Sequence, residues 1–230
     1  MGAFQPDAMS RTLAPGSQSV TLNGERPHMS QTEVVTADKA KGRKAPPAAW
    51  VFFQRWLANP LSMGSIVPSS IGLRKLISKH VICGADEIVV EFGGGTGAIT
   101  RALLEAGIPA AKVWSIEIDP ELASFLHQTY PDVNVVHGDC RDTKKFIGDD
   151  LVGKVGTVVV GIPMVLLPLD LQKQIVAAIF SVLPEGRRFI LYTYCATSPL
   201  DMKKLGLKGK RLGWTPRNFP PASVWGYSQA

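Results

Sequence analysis

The sequence predicts an α/β protein with a doubly wound, mainly parallel sheet and an N-terminal helical extension. From residue 87 onwards, short apolar runs alternate with longer segments of helical periodicity. This is the order of elements in a parallel sheet that carries helices on both faces. The apolar runs are nearly continuous, as strands are when both faces of their sheet are covered.

The N-terminal part differs in composition from the rest of the chain. Residues 1–38 are rich in Pro, Gly, Ser, Thr and Gln without apolar periodicity, and we expect a disordered tail. Residues 39–85 form the predicted helical extension, which we expect to face a membrane and to cover the cofactor. Its two helices are predicted at residues 48–58 and, with Ser69 or Ser70 as N-cap, up to about residue 80.

Residues 86–230 form the predicted α/β domain, which is the part expected to carry the chemistry. Its strands are predicted at residues 87–92, 112–118, 133–137, 155–160 and 188–193, and its helices at residues 98–106, 120–129 and 170–183. Two short segments near the C-terminus, residues 211–215 and 223–227, are predicted to pair as a closing hairpin around Pro220-Pro221.

A glycine-rich turn follows the first strand, in the sequence Glu91-Phe92-Gly93-Gly94-Gly95-Thr96-Gly97. Glycines allow a tight turn and let a ligand lie against bare backbone. The spacing of Gly93, Gly95 and Ala98 also fits the dinucleotide-binding pattern. The turn alone therefore does not distinguish a nicotinamide cofactor from S-adenosylmethionine.

Three acidic residues at successive strand ends favour S-adenosylmethionine. Glu91 directly precedes the glycines, where it can hold the methionine ammonium group, directly or through the loop backbone. Glu117 ends the second strand and can accept both ribose hydroxyls, although nicotinamide sites share this feature. Asp139 follows the third strand and can accept from the adenine amino group. The carboxyl ends of parallel strands meet at one crevice, so these acids predict S-adenosylmethionine as cofactor and S-adenosylhomocysteine as product.

The residues after the fourth and fifth strands are candidates for the acceptor side. Enzymes that methylate a base amine usually carry a polar residue, two prolines and an aromatic residue after strand four. Here the sequence is Gly161-Ile162-Pro163-Met164, which disfavours a nucleic-acid base. Of the two tyrosines near the end of strand five we expect only one, Tyr194, to face the crevice, as the candidate catalytic residue. The complete set expected to bind the cofactor is Ser69, Glu91, Gly93, Gly95, Gly97, Glu117, Ile118, Asp139, Cys140 and Gly161.

Several of these motifs resemble those of the bacterial phospholipid N-methyltransferases, which are related to the rRNA adenine dimethyltransferases. The resemblance covers about residues 50–226 and includes residues 53–61, Val67-Pro68-Ser69-Ser70, the glycine turn, Gly161-Ile162-Pro163 and residues 218–225. It implies a Rossmann-like class I S-adenosylmethionine-dependent methyltransferase fold. It also implies N-methylation of phosphatidylethanolamine, and of its mono- and dimethyl forms, towards phosphatidylcholine.

Charge is segregated along the chain. The net charges of residues 1–38, 39–85, 86–201 and 202–230 are −2, +8, −6 and +6, and the second and fourth blocks contain no acidic residue. Such asymmetry is typical of a polyanionic partner, either nucleic acid or anionic lipid, although a solvated basic face is the alternative. Because residues 39–58 mix bases with aromatic residues, we expect a membrane-surface helix. The residues expected at the membrane are Lys41, Arg43, Lys44, Trp50, Phe53, Arg55 and Trp56, whose aromatic rings could instead be ordinary core.

The remaining sequence features concern metal binding, disulfide bonds, cellular location and partners. The three cysteines and four histidines lack metal-ligand spacing, so neither a metal site nor a disulfide framework is predicted. No long apolar segment or signal peptide is evident, and we expect a cytoplasmic protein bound peripherally to the inner face of the cytoplasmic membrane. Its expected partners are an anionic membrane and a phospholipid substrate, without nucleic acid, and its oligomeric state is left open. An rRNA adenine methyltransferase and a non-catalytic lipid-binding module are the alternatives.

Overall fold

Seven strands form one sheet in the computed structural model, which describes residues 71–216 and 221–230. Strands β1 to β5 are mutually parallel, and the last two are antiparallel to their neighbours, in the spatial order β3-β2-β1-β4-β5-β7-β6. Their bounds are Ile88–Phe92, Val113–Glu117, Asn134–His137, Val155–Val160, Phe189–Thr193, Leu207–Thr215 and Ala222–Gln229 for β1 to β7.

The described helices connect these strands and cover both faces of the sheet. The α-helices are α1 Ile71–Ser78, α2 Ala98–Glu105, α3 Pro120–Thr129, α4 Thr143–Ile147 and α5 Leu169–Phe180. Short 3-10 helices occur at Ala110–Lys112, Cys140–Asp142, Asp149–Leu151 and Met164–Leu166. Helix α3 begins with Pro120 at its first position, and the Asp119 side chain accepts from two backbone N–H groups of its first turn, which is a favourable N-cap.

Two apolar clusters fill the space between the sheet and its helices. Alternate residues of β1 point to opposite faces, so Val90 and Phe92 join the cluster under α4 and α5. Val89 joins the second cluster, which lies under α1 and α2. All residues of β1 and β4 are buried, as the near-continuous apolar runs of these strands predict.

The described elements agree with the predicted order. The strand bounds lie within a residue of prediction for β1 to β5, and the predicted closing hairpin exists as β6 paired with β7. Strand β6 starts at Leu207, earlier than predicted, because exposed bases such as Lys208 and Lys210 interrupt its apolar pattern. β6 is the outer strand, where solvent-facing lysines are favourable. Helix α4 was missed because its five residues are too few for a periodic signal.

Several predictions lie outside the described residues. These are the tail at residues 1–38, the aromatic helix at residues 48–58, Ser69, and all seven residues expected at the membrane. The proposed division of the chain into tail, extension and α/β domain therefore stays a prediction. No helix in the described part of the chain is both long and apolar enough to cross a bilayer.

Candidate active site

The glycine-rich turn leads from β1 into α2 by a tightly packed path. Gly97 has a φ of 78° and serves as the N-cap of α2 without a side-chain capping bond. A Cβ atom on Gly97 would lie 2.5 Å from a ring carbon of Tyr130, and one on Gly94 would lie 2.2 Å from Ser115 Oγ. At Gly95, with a φ of 54°, nothing lies within 4 Å of the corresponding position. A side chain at position 94 or 97 would therefore collide with the rest of the protein, whereas a side chain at position 95 would project into open space.

Backbone hydrogen bonds hold the strand ends together at one edge of the sheet. The N–H of Gly93 donates to Ile116 O at 2.8 Å, and the N–H of Gly161 donates to Phe92 O at 2.8 Å. A Cβ on Gly161 would lie 2.6 Å from Gly93 O, so only glycine fits there without displacement. The turn after β1 and the loop after β4 therefore pack against each other at this edge, where the sequence predicts the crevice.

Glu117 lies at the end of β2 with only 1% of its surface exposed. Its Oε2 accepts from the Gly95 N–H at 2.8 Å, and its Oε1 accepts from the Asp119 N–H at 2.9 Å. Burial raises the pKa of Glu117, although the backbone hydrogen bonds oppose that shift. A carboxylate has about four acceptor positions, so acceptor capacity remains for ribose hydroxyls.

Glu91 is fully buried beneath the glycine-rich turn. Its Oε2 accepts from Thr100 Oγ1 on α2 at 2.5 Å and from Ser115 Oγ on β2 at 2.9 Å. Its Oε1 has no hydrogen-bond partner among the described residues. Burial raises the pKa of Glu91 to about 7, although the two hydroxyl hydrogen bonds lower it. Of the two routes predicted for its action on a ligand ammonium group, this burial favours the one through the loop backbone.

Asp139 follows β3 and is already paired with a basic side chain. Its carboxylate forms a bidentate ion pair with Arg141, whose NH2 lies 2.6 Å from Oδ2, and it also accepts from the Arg141 backbone N–H. Arg141 extends further to Gln174 Oε1 on α5 at 2.6 Å. Burial alone would raise the pKa of Asp139, but the hydrogen bonds and charge of Arg141 lower it. An adenine amino group would share this carboxylate with Arg141.

The other predicted cofactor residues lie around the same edge. Ile118 directly follows Glu117, and Cys140 directly follows Asp139 at the start of a 3-10 helix. The Cys140 side chain is buried, and this burial raises the pKa of its thiol. Cys140 therefore offers a ligand its backbone groups and not a reactive sulfur.

The loops after β4 and β5 carry the residues predicted for the acceptor side. Ile162 and Met164 are buried in the core, so neither side chain offers a binding group to the crevice. Tyr194 lies one residue beyond β5 and is half-exposed. Tyr192 instead packs in the cluster under α1 and α2, where burial raises the pKa of its hydroxyl, with smaller contributions from Tyr194 and Glu91. Tyr194 is thus the more accessible of the two, and its catalytic role stays a prediction.

Sequence reasoning missed the partners of the acidic residues. Thr100 and Ser115 bind Glu91, while Arg141 and Gln174 organise Asp139. Ser115 could have been found, since it is a polar residue within an apolar strand and buried polar groups require partners. Gln174 gives no such signal, because its relation to Arg141 depends on how α5 packs.

These residues fit a ligand such as S-adenosylmethionine on structural grounds. The open side of Gly95 and the remaining acceptor capacity of Glu117 suit a ribose. The N-terminus of α2 has no side-chain cap and suits a carboxylate. The nearby carboxylates of Glu91 and Glu117 favour cationic ligand groups. Among the described residues, no group of His, Cys, Asp and Glu is placed to hold a metal ion.

The sequence of this chain is similar to the sequences of known methyltransferases. The chain is 25% identical over 179 residues to an ornithine lipid N-methyltransferase from Singulisphaera acidiphila, covering 76% of this chain and 93% of that protein. It is 33% identical over 87 residues to a ribosomal RNA small subunit methyltransferase A from Chlorobium phaeobacteroides, covering 37% of this chain and 31% of that protein. No protein-family model matches the sequence.

The solved structures show the fold. A TehB-like S-adenosylmethionine-dependent methyltransferase from Corynebacterium glutamicum superimposes with a TM-score of 0.50 at 16% identity, over 79% of this chain and 98% of that one. The predicted class I methyltransferase fold is therefore confirmed. The predicted resemblance to lipid N-methyltransferases and rRNA methyltransferases is confirmed as well. The comparisons support S-adenosylmethionine as the methyl donor.

Proposed function

We propose that this S-adenosylmethionine-dependent methyltransferase acts on the amine nitrogen of a membrane lipid. The proposed acceptors are phosphatidylethanolamine and its mono- and dimethyl forms, which gives phosphatidylcholine as the final product. The observation that carries the proposal is the similarity to a lipid N-methyltransferase over 76% of this chain and 93% of that protein. An ornithine lipid and phosphatidylethanolamine both present an amine next to a lipid body.

The cofactor half of the crevice has the groups that the reaction needs. Glu117 would accept from the ribose hydroxyls, Asp139 from the adenine amino group, and the turn at Gly95 would lie against the ligand. The sulfonium of bound S-adenosylmethionine supplies an activated methyl group. The protein then has mainly to place the amine in line with that group, and such positioning can contribute most of the rate.

The acceptor half suits an aliphatic amine better than a nucleic-acid base. Base recognition uses hydrogen bonds and stacking, whereas Ile162 and Met164 are buried and Gly161 has no side chain. Tyr194 is the candidate for orienting the amine or accepting its proton. An aromatic ring can also hold a methylated ammonium through a cation–π interaction, which supports a role for Tyr194 after each methyl transfer.

Methylation of ribosomal RNA is the second candidate, because a local match to an rRNA methyltransferase favours it. That match covers 31% of the rRNA enzyme. The basic segments of the chain would then bind phosphates. The apolar loop after β4 argues against this candidate.

Transfer of a labelled methyl group decides between these candidates. The full chain is incubated with labelled S-adenosylmethionine and, separately, with phosphatidylethanolamine vesicles, ornithine lipid vesicles or ribosomal RNA. We expect label in chloroform-extractable lipid, and much less of it at limiting S-adenosylmethionine when Glu117→Ala replaces the wild type. Label in RNA alone would replace the proposal by the second candidate. Vesicle binding without label in any acceptor would identify a non-catalytic lipid-binding module.

A further inference from the structure

Four exposed apolar side chains lie at the crevice edge of the sheet, on the side of β4 to β7. Their exposed fractions are 49% for Val165, 42% for Leu166, 45% for Tyr194 and 55% for Trp214. We call these four residues the apolar rim. Large apolar side chains that share one exposed region mark an interaction site more often than scattered ones do.

The sheet topology places the rim at a single edge. Val165 and Leu166 belong to the 3-10 helix that follows β4, and Tyr194 directly follows β5. Trp214 pairs with Ser223 of β7, which in turn pairs with Thr193 at the end of β5. Because Thr193 precedes Tyr194, the end of β6 lies at the same edge as the ends of β4 and β5.

The edge is divided into a charged half and an uncharged half. On the side of β1 to β3 it carries the acidic residues of the cofactor half, among them Glu117 and Asp139. On the rim side, residues 161–169, 193–200, 212–216 and 221–223 contain no charged side chain and no histidine, and the exposed Asp170 directly follows the first of these segments. Such a region can enter a low-dielectric environment without the cost of burying a charge.

A basic strand adjoins the rim. β6 exposes Lys208, Lys210 and Arg211. Arg211 lies on the same face of the sheet as Trp214, because they pair with Trp225 and Ser223, whereas Lys208 and Lys210 lie on the opposite face. Lys208, Lys210 and Arg211 form no ion pair with a described residue, whereas Lys204 pairs with Asp201 at 3.1 Å. Aliphatic side chains, a Trp and a Tyr next to a base that has no ion pair among the described residues form the combination that binds an anionic membrane surface.

We propose that the apolar rim and Arg211 together form a docking surface for an anionic phospholipid bilayer. Val165 and Leu166 enter the headgroup layer, Trp214 and Tyr194 lie at its boundary, and Arg211 contacts lipid phosphates. The crevice then opens towards the headgroups, where an acceptor amine would be. This orientation rests on the proposed function, whereas the docking itself does not.

A second copy of the chain fits this surface less well. In a symmetric dimer the same patch meets itself, so a contact through β6 would bring together two strands that carry bases and no acid. Like charges that face each other across a strand pair are destabilising. Phospholipid phosphates supply the opposite charge, which is why a bilayer is the occupant proposed.

The experiment measures which side of the bound chain contacts the bilayer, as well as whether the chain binds. An accessible cysteine is placed at residue 166 by Leu166→Cys, or at residue 125 by Phe125→Cys, in a chain that carries Cys83→Ser and Cys195→Ser and keeps the buried Cys140. Each is labelled with an environment-sensitive fluorophore and mixed with vesicles of phosphatidylcholine and phosphatidylglycerol, without S-adenosylmethionine. Phe125 is the matched control because its side chain is 47% exposed on α3, away from the rim.

We expect a blue shift of the emission from residue 166 upon vesicle binding and none from residue 125. Cosedimentation should show about ten-fold weaker binding for Val165→Asp with Leu166→Asp, and an unchanged affinity for Phe125→Asp. Bound chain without a shift at residue 166, or with equal shifts at both positions, would overturn the proposal. So would an oligomer in solution that the double aspartate variant dissociates.

The outcome is independent of the methyl-transfer experiment. A chain that docks through residue 166 but labels no lipid would contradict the proposed function and leave the docking surface standing. A chain that methylates dispersed lipid but shows no shift at residue 166 would support the proposed function and contradict the docking surface.

Discussion

The backbone N–H of Gly95 donates a hydrogen bond to Glu117 Oε2 at 2.8 Å, which ties the turn after β1 to the end of β2. The second oxygen of the same carboxylate accepts from the Asp119 N–H at 2.9 Å. Because both bonds come from the backbone, the orientation of the Glu117 carboxylate is fixed by the fold itself. A ligand that needs this carboxylate meets it already oriented, which lowers the entropic cost of binding.

Loss of the Glu117 carboxylate should weaken cofactor binding. Glu117→Ala removes charge-assisted hydrogen bonds to the ribose, and we expect a loss of about 1.5–3 kcal/mol in calorimetric titration with S-adenosylmethionine. Glu121→Ala, on the first turn of α3, is the control and should bind normally. Gly95→Leu should abolish binding, because its side chain would project into the open space beside the turn. Unchanged affinity in both Glu117→Ala and Gly95→Leu would remove these residues from the cofactor site.

The raised pKa of Glu91 should appear in the pH dependence of stability. The folded chain holds this proton more tightly than the unfolded chain, since the pKa rises from 4.5 to about 7. The resulting stabilisation is fully present below pH 4.5 and is lost as the pH rises through 7. The shift corresponds to roughly 3 kcal/mol of unfolding free energy.

Glu91→Gln should remove most of this dependence, because a neutral amide does not titrate. We expect the variant to be more stable than the wild type at pH 8 and similar to it near pH 4, as measured by urea unfolding at each pH. Parallel pH profiles for the two proteins would show that another group causes the change.

The contact between Gly161 and Gly93 should not tolerate a methyl group. A Cβ on residue 161 would lie 2.6 Å from Gly93 O, and Gly161→Ala should destabilise the fold by about 1–3 kcal/mol in urea unfolding. Gly186→Ala is the control, since its Cβ meets nothing within 4 Å and only its φ of 78° is unfavourable. Only Gly161→Ala should also weaken cofactor binding. Equal effects of both variants on cofactor affinity would contradict the assigned packing.

The aromatic residues of the predicted N-terminal helix should supply the salt-resistant part of membrane binding. Electrostatic attraction is screened beyond roughly 8 Å at physiological salt, whereas burial of aromatic rings does not depend on counter-ions. Replacement of Trp50, Phe53 and Trp56 by Ala should therefore abolish vesicle sedimentation in high salt and spare cofactor affinity. Unfolding of the triple variant, seen by circular dichroism, would show that these rings belong to the core.

Local patterns in the sequence were enough for the fold and for the edge of the sheet at which the predicted site residues lie. Apolar runs and helical periodicity depend on neighbouring residues, and they predicted β1 to β5 and the closing hairpin. Once parallel strands are predicted, Glu91, Glu117 and Asp139 must meet at one edge, because each follows or ends a strand. Outer strand β6 was located less well, since its solvent-facing bases interrupt the apolar pattern.

Only the tertiary structure decided what each acidic residue contacts. Glu91 binds Ser115 across 24 positions of the chain, and Arg141 reaches Gln174 across 33. These pairs depend on strand register and helix packing, which local spacing does not encode. The same holds for the apolar rim: Leu166 and Trp214 belong to distant segments, and the pairing of β6, β7 and β5 brings both to one edge. Sequence therefore determined which residues end at the crevice, and long-range packing determined their partners, their burial and their pKa values.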